Sequence, residues 1–372
     1  MADYSYREAL TARQSPTALA KHAISVLEKR LADAFGVTVL MGAELEFIAQ
    51  TRSVSEHRDR EWLGLVAVNG KERNYRASVS QPSAQKDAWF PQSRRISFSY
   101  RELKVNDGWQ HGEVVLTHQP ADRSGKLLSP SALTLAACIE GTRHQLTHMP
   151  LGHKPGRGNL EAEMHHAYWQ AQRAQAMKAV RFDACVPEAS AQSGLHLNAS
   201  VVDARGRELF TNGSLAANVA EHIRRLTDDH LYLLASSPMS LQRWRRQFGH
   251  EHIATSYVCP VKYSEGDVAY LENRIPGADS NAYYSVLLEL AGIYSALEKR
   301  YEPLPGEALD YRTVTADTVR QRFGRSSSLR NVLNAVEPGL GDRFYDAVAR
   351  MPPNIEHNAT EVRHRPLGGI GR

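Results

Sequence analysis

The stretch Gly42-Ala43-Glu44-Leu45-Glu46-Phe47 decides how this chain is read. Residues two apart in a strand project from one face, about 6–7 Å apart along it. Glu44 and Glu46 therefore stand side by side, and Leu45 and Phe47 supply an apolar face behind them. Neighbouring carboxylates repel unless a cation lies between them, so a divalent-metal platform is one reading and a solvated strand face the other. Repulsion in the metal-free state also predicts that removing a carboxylate raises apo stability. Working outward, Val37, Val39 and Met41 extend the strand pattern. Before it, Ser15-Pro16 is a capping residue followed by a first-turn proline, and Ala20, Ile24, Leu27, Leu31 and Phe35 recur at helical spacing until Gly36. A helix running directly into a strand is predicted.

The chain has 372 residues, enough for one large domain or two. Lys and Arg total 45 against 41 Asp and Glu, and the excess is spread along the chain, which excludes nucleic acid as a favoured partner. The 16 histidines lack the cysteine-rich spacing of zinc modules. Cys138, Cys185 and Cys259 are odd in number and widely separated, so no disulfide framework is expected and a reducing cytoplasm fits. The N-terminus lacks a basic region followed by an apolar stretch, and no long apolar run follows. A soluble cytoplasmic protein without a membrane partner is the expectation.

Further along, residues 51–101 are polar and turn-rich, and Glu113 to Leu116 mark a strand. Helices are predicted from about Pro130 to Thr147 and from Asn159 to Val180, with the glycine-rich segment Gly152 to Gly158 as a linker. A strand from Leu195 to Val202, a turn over 203–206, a helix from Ser214 to Ala235, strands near Tyr257 and Val268, and a helix from Asn281 to Leu297 follow. Two more helices, near Ala316 to Phe323 and Asp342 to Met351, precede a polar tail, so the layout is α+β.

Two other strands repeat the logic of the first. His196, Asn198 and Ser200 share one face, with Leu195, Leu197 and Val201 as filling, which suits a metal-nucleotide site or an ordinary structural histidine. Glu272 and Arg274 flank Asn273 and place a carboxylate beside a guanidinium, which a salt-bridged strand face explains equally well.

Taken together and in this order, the three segments resemble the catalytic domain of the glutamine synthetase family. Gly42 to Phe47 looks like its opening strand with a Glu-x-Glu. Ser193-Gly194-Leu195-His196-Leu197-Asn198-Ala199-Ser200 resembles its Ser-Gly-x-His-x-His-x-Ser strand, and Glu272 to Tyr283 is similar to its Glu-x-Arg-x-Pro to Asn-Pro-Tyr segment. The resemblance implies a curved antiparallel sheet with a metal site on its inner face, backed by helices. It implies residues 1–15 as an extension, 16–350 as the catalytic domain and 351–372 as a polar tail. Carried over by position, Glu44, His196 and Glu272 would bind the Mg²⁺ or Mn²⁺ that holds the ATP phosphates. Glu46 with Glu113 would bind a second ion, completed by Glu102 or, next, Asp107. Asn198, Ser200 and Lys262 would face the nucleotide, and Arg243, Arg274, Gln192 and Gly194 the substrate. Glu46, Glu113, Glu272 and Arg274 would carry catalysis.

The departures from the family matter too. The small β-grasp domain that usually comes first has no counterpart in residues 1–15, and the family's Asn-Gly-Ser-Gly loop reads Ala191-Gln192-Ser193-Gly194. The phosphate-facing arginines are absent from His252 to Pro260, leaving Lys262, Arg245 or Arg246 to compensate. The resemblance implies an ATP-dependent ligase that joins an amino-acid-type carboxylate, through an acyl phosphate, to an amine larger than ammonia, and it allows a homo-oligomer. A metal-dependent amide hydrolase or phosphotransferase, and a nucleotide-binding regulatory pseudoenzyme, are the alternatives.

Overall fold

The computed structural model describes residues 15–51, 77–78, 96–106, 109–118, 132–148, 177–186, 191–211, 213–249, 261–264, 269–299 and 308–351. Helix α1 (Pro16–Phe35) begins where Ser15 Oγ accepts the Ala18 amide. It ends where Gly36 takes φ 65°, a conformation that glycine adopts without a Cβ penalty, and donates its amide to Ala32 and Leu31. Its buried stripe of Leu19, Ala20, Ala23, Ile24, Leu27 and Leu31 faces the core, each large aliphatic contributing about 1.5–3 kcal/mol.

In chain order there follow β1 (Val37–Thr51), β2 (Ala77–Ser78), β3 (Ile96–Asn106), β4 (Trp109–His118), α2 (Ala132–His148) and β5 (Met177–Arg181). Next come β6 (Cys185–Val186), β7 (Ala191–Gln192), β8 (Leu195–Asp203), α3 (Gly213–Asp229), α4 (Leu231–Leu234) and α5 (Pro238–Phe248). The described chain closes with β9 (Val261–Ser264), β10 (Tyr270–Asn273), α6 (Ala282–Glu298), a 3₁₀ turn (Tyr311–Thr313), α7 (Ala316–Arg325), α8 (Ser328–Val336) and α9 (Leu340–Ala349).

Eight strands form an antiparallel sheet in the order β2-β3-β4-β1-β8-β10-β9, with β5 also on β1. One edge of β1 pairs with β4; the other pairs first with β8 and then, from Ile48 onward, with β5. Met41, Ala43, Leu45 and Phe47 of β1 join Leu195, Leu197 and Ala199 of β8 in the core, where α1, α2 and α6 cover them. Helix α6 is the centre of the helical layer: it is buried from Tyr284 through Ala296, and Asn281 caps it by accepting the Tyr283 and Tyr284 amides.

Several sequence expectations are corrected. The helix over 159–180 fails at its end, because Met177 to Arg181 pair with β1; its remainder, like the 152–158 linker, lies outside the described residues. The helix over 214–235 breaks at His230. There the ring Nδ1 takes the Leu226 carbonyl at 2.6 Å, and the His230 amide turns to Thr227 O instead, tightening the last turn. The last two strands sit at 261–264 and 270–273, and Tyr257, Val268, Cys259 and the tail from 352 lie outside the described residues. Cys138 and Cys185 are buried and form no disulfide among the described residues. Among the described residues no helix is long and apolar enough to cross a membrane.

Candidate metal centre

Strand register assembles the site. Glu44 of β1 lies directly across from His196 of β8, and Asn198 of β8 directly across from Glu272 of β10. Paired residues of antiparallel neighbours share a sheet face, so three adjacent strands deliver these side chains together, on the face away from the α6 core. His196 Nδ1 stands 3.3 Å from Glu44 Oε2 and 3.4 Å from Glu272 Oε1. One ligand atom from each of the three lies within 4.8 Å of the others. Asn198 Nδ2 donates to Glu44 Oε1 at 3.4 Å, and Arg274 grips Glu272 with Nε at 2.6 Å and Nη2 at 3.1 Å.

Glu46 flanks this triad, its Oε1 3.9 Å from His196 Nε2, while its Oε2 accepts the Gly194 amide. Gly194 is obligatory by space rather than by torsion: a Cβ there would come within 2.6 Å of both Arg243 Nη2 and His196 Nε2. Beside it, Gln192 pairs with Cys185 in a two-stranded ribbon, and Gly194 bridges to Gly277, so the 191–194 loop lies against the turn after β10.

Charge explains how the cluster holds together. Burial opposes a charged His196, yet the Glu46 charge and the Glu272 and Glu44 carboxylates outweigh it and raise the imidazole to about 9. Burial would likewise raise Glu46 and Glu272, but His196 with its neighbours His111 and Arg243 in one case, and His196 with Arg274 in the other, bring each down to about 2. The imidazolium and Arg274 thus stand beside the carboxylates in the metal-free state and offset the repulsion on which the expected rise in apo stability rests. The donor set fits a divalent ion. Two carboxylates and an imidazole are donors that divalent ions take, and His196 Nε2 and Asn198 Oδ1 are buried without a hydrogen-bond partner.

The other expected residues divide. Glu113 is the register partner of Glu46, on the site face. Lys262 is the register partner of Glu272. Glu102, however, pairs with Gly112, itself across from Phe47, which places it on the core side, and Arg101 occupies the position across from Glu113. The third carboxylate expected at Glu102 is thus not in register with Glu113, and Asp107 lies outside the described residues. Ser200 is drawn away from the cluster, its Oγ donating to Glu208 at 3.3 Å. Arg245 and Arg246 are exposed in the last turn of α5. Arg243 is fully buried and donates Nη1 to Ile275 O and Nη2 to Arg274 O, both at 2.8 Å. Its Nη groups hold the backbone after β10. Sequence reasoning missed His111, whose Nε2 is buried without a hydrogen-bond partner 3.7 Å from Glu46 Oε2. Its place two residues before Glu113, on the same strand face, was the available signal.

The geometry invites comparison with known proteins. No family model and no curated protein matches the sequence. Among solved structures, a crystal structure of a glutamine synthase homolog aligns over 89% of this chain and 70% of its own, at 17% identity and a TM-score of 0.50. The chain has a glutamine synthetase-like fold. A structure of apo GmaS without ligand aligns over 91% of this chain and 76% of its own, at 14% identity and a TM-score of 0.48. On the glutamine synthetase-like sheet, the triad of Glu44, His196 and Glu272 spans the strands β1, β8 and β10.

Proposed function

We propose that this protein is an ATP-dependent ligase that joins a small carboxylic acid to an amine. The observation that carries the reading is the convergence of Glu44, His196 and Glu272, from strands up to 228 residues apart (272 − 44), on one buried, cation-shaped cluster within this fold. Mg²⁺ or Mn²⁺ held by Glu44, His196 and Glu272, with a second ion at Glu46, Glu113 and His111, would supply positive charge against the triphosphate.

In this reading the acid's carboxylate oxygen attacks the γ-phosphorus and ADP departs; the amine nitrogen then attacks the acyl carbon, and phosphate leaves as the amide forms. Arg274, whose planar fork holds Glu272 in the metal-free state, would turn to the acid's carboxylate once Glu272 is taken up by the ion. The Gly194 amide and Glu46 keep the nucleophile's side of the site in register with the sheet. Lys262, the register partner of Glu272 on β9, would meet the phosphates. The altered loop Ala191-Gln192-Ser193-Gly194 favours an amine larger than ammonia, whose extra surface supplies orientation.

The test is purified protein with ATP and Mn²⁺ against a panel of amino acids and amines, following ADP and condensed product. Product that depends on acid, amine and metal supports the reading. ADP formation without any amine would replace it with a hydrolase or phosphotransferase, and nucleotide binding without turnover would replace it with a regulatory pseudoenzyme.

A further inference from the structure

Glu289 is the one acidic residue in the buried run of α6 from Ala282 to Ala296, and it is fully buried. An apolar side chain would pack there without losing hydration, as a carboxyl must. What the carboxyl adds is one contact across the layer boundary: Oε2 accepts Asn273 Nδ2 at 2.9 Å. Its Oε1 has no partner among the described residues.

Asn273 is itself wholly buried and lies between two residues of the site. Glu272 and Arg274 meet on the cation face, whereas Asn273 reaches back to the helices. Its Oδ1 accepts the Ile275 amide at 3.1 Å, closing a small ring around Arg274. An amide side chain has one acceptor end and one donor end. With Oδ1 committed to Ile275, Nδ2 needs an acceptor, and Glu289 is that acceptor. The far side of the same turn is clamped as well: Ile275 O accepts from Arg243 Nη1 and Trp244 Nε1, and Arg274 O from Arg243 Nη2.

We propose that Glu289 is a positioning residue of the metal centre: through Asn273 it fixes the turn at Arg274 and Ile275, and so aims Glu272 and the guanidinium that grips Glu272. The inference rests on the metal reading above. It places control of a ligand's direction in a helix that never reaches the site.

The experiment measures Mn²⁺ affinity of the full chain, with the thermal midpoint recorded alongside. Glu289→Leu should weaken Mn²⁺ binding about tenfold, in the range of outer-shell changes, whereas Glu289→Gln, which keeps an acceptor oxygen, should bind within twofold of wild type. Asn273→Asp, assayed at a pH high enough to ionise both carboxyls, should weaken binding by setting two carboxylates face to face, and adding Glu289→Gln should restore it, because the new amide can donate to Asp. If Glu289→Leu does not fold, the Asn273→Asp variant and its double mutant decide. A lower thermal midpoint with unchanged Mn²⁺ affinity, or a double mutant that recovers nothing, overturns the proposal while leaving the metal reading intact. Absence of Mn²⁺ binding by wild type overturns both.

Discussion

Two of the buried clusters of ionisable groups among the described residues differ in what is left over. In the first, Asp228 of α3 accepts Tyr311 Oη at 2.5 Å, Arg224 Nη1 at 3.2 Å and the Leu309 amide at 3.3 Å. Arg224 is in turn held by Glu221, so the group ties α3 to the segment entering the 3₁₀ turn with both Asp228 oxygens used. In the second, Glu44, Glu46 and Glu272 surround His196, and buried polar atoms on His196, Asn198 and His111 remain without hydrogen-bond partners. Shifted acidities do not separate the two. Burial leads the causes that raise Asp228 to about 6, while the carboxylates around His196 raise it to about 9. Saturation separates them: a closed network is cohesion, and one with spare ligand atoms has room for something else.

The sharpest way to break the contrast is Asp228→Ala. Leaving the Tyr311 hydroxyl and the Leu309 amide without their acceptor, with Arg224 still held by Glu221, should cost about 3–5 kcal/mol in urea unfolding, with Mn²⁺ affinity of the folded fraction unchanged. A loss under about 1 kcal/mol would erase the distinction. Glu44→Ala should do the reverse, weakening Mn²⁺ binding by about a hundredfold, or ~2.7 kcal/mol, with a small change in apo stability. Undiminished binding by calorimetry would remove Glu44 from the site.

A pH series sharpens the role of burial. Burial, only partly offset by Asn273, raises Glu289 to about 8 from an ordinary 4.5. A carboxyl raised on folding contributes stability that is full below 4.5 and is lost as pH climbs through 8. Between pH 6.5 and 8, wild type should lose about 1.5 kcal/mol relative to Glu289→Gln; parallel stability profiles would show that Glu289 ionises freely in place. The smallest effect concerns the two arginines. Arg274→Lys should weaken acid binding about tenfold through loss of the planar fork, whereas Arg243→Lys should act on stability; the opposite pattern would return Arg243 to the substrate.

The site was more legible than the sheet that carries it. Glu44, Glu46, His196 and Glu272 announced themselves because alternation in a strand is local, and a polar residue every second position against an apolar face has few causes. Strand β3 was legible on the same ground, since Ile96, Phe98 and Tyr100 alternate with serines, but the polar stretch before it hid the pattern. The setting of Glu102 is non-local: the ladder shifts between Glu102 and Lys104, and no spacing rule within one strand shows which face survives such a bulge. Helix α5 carries the same opening as α1, Ser237-Pro238, and went unread. The grip of Arg243 on two carbonyls was out of reach, because donation to backbone leaves no trace in residue type.

The triad exists only in one registration of β1, β8 and β10. Sliding β8 by a single residue against β1 would set Leu195 or Leu197 across from Glu44 in place of His196, and would turn the imidazole toward the apolar layer. Every slipped pairing is therefore blind to the ion. At a hundred times its dissociation constant, a bound cation adds about 2.7 kcal/mol to the true pairing and nothing to its neighbours. In that sense the ion would proofread the sheet, rewarding the one alignment of three distant segments that can also do chemistry.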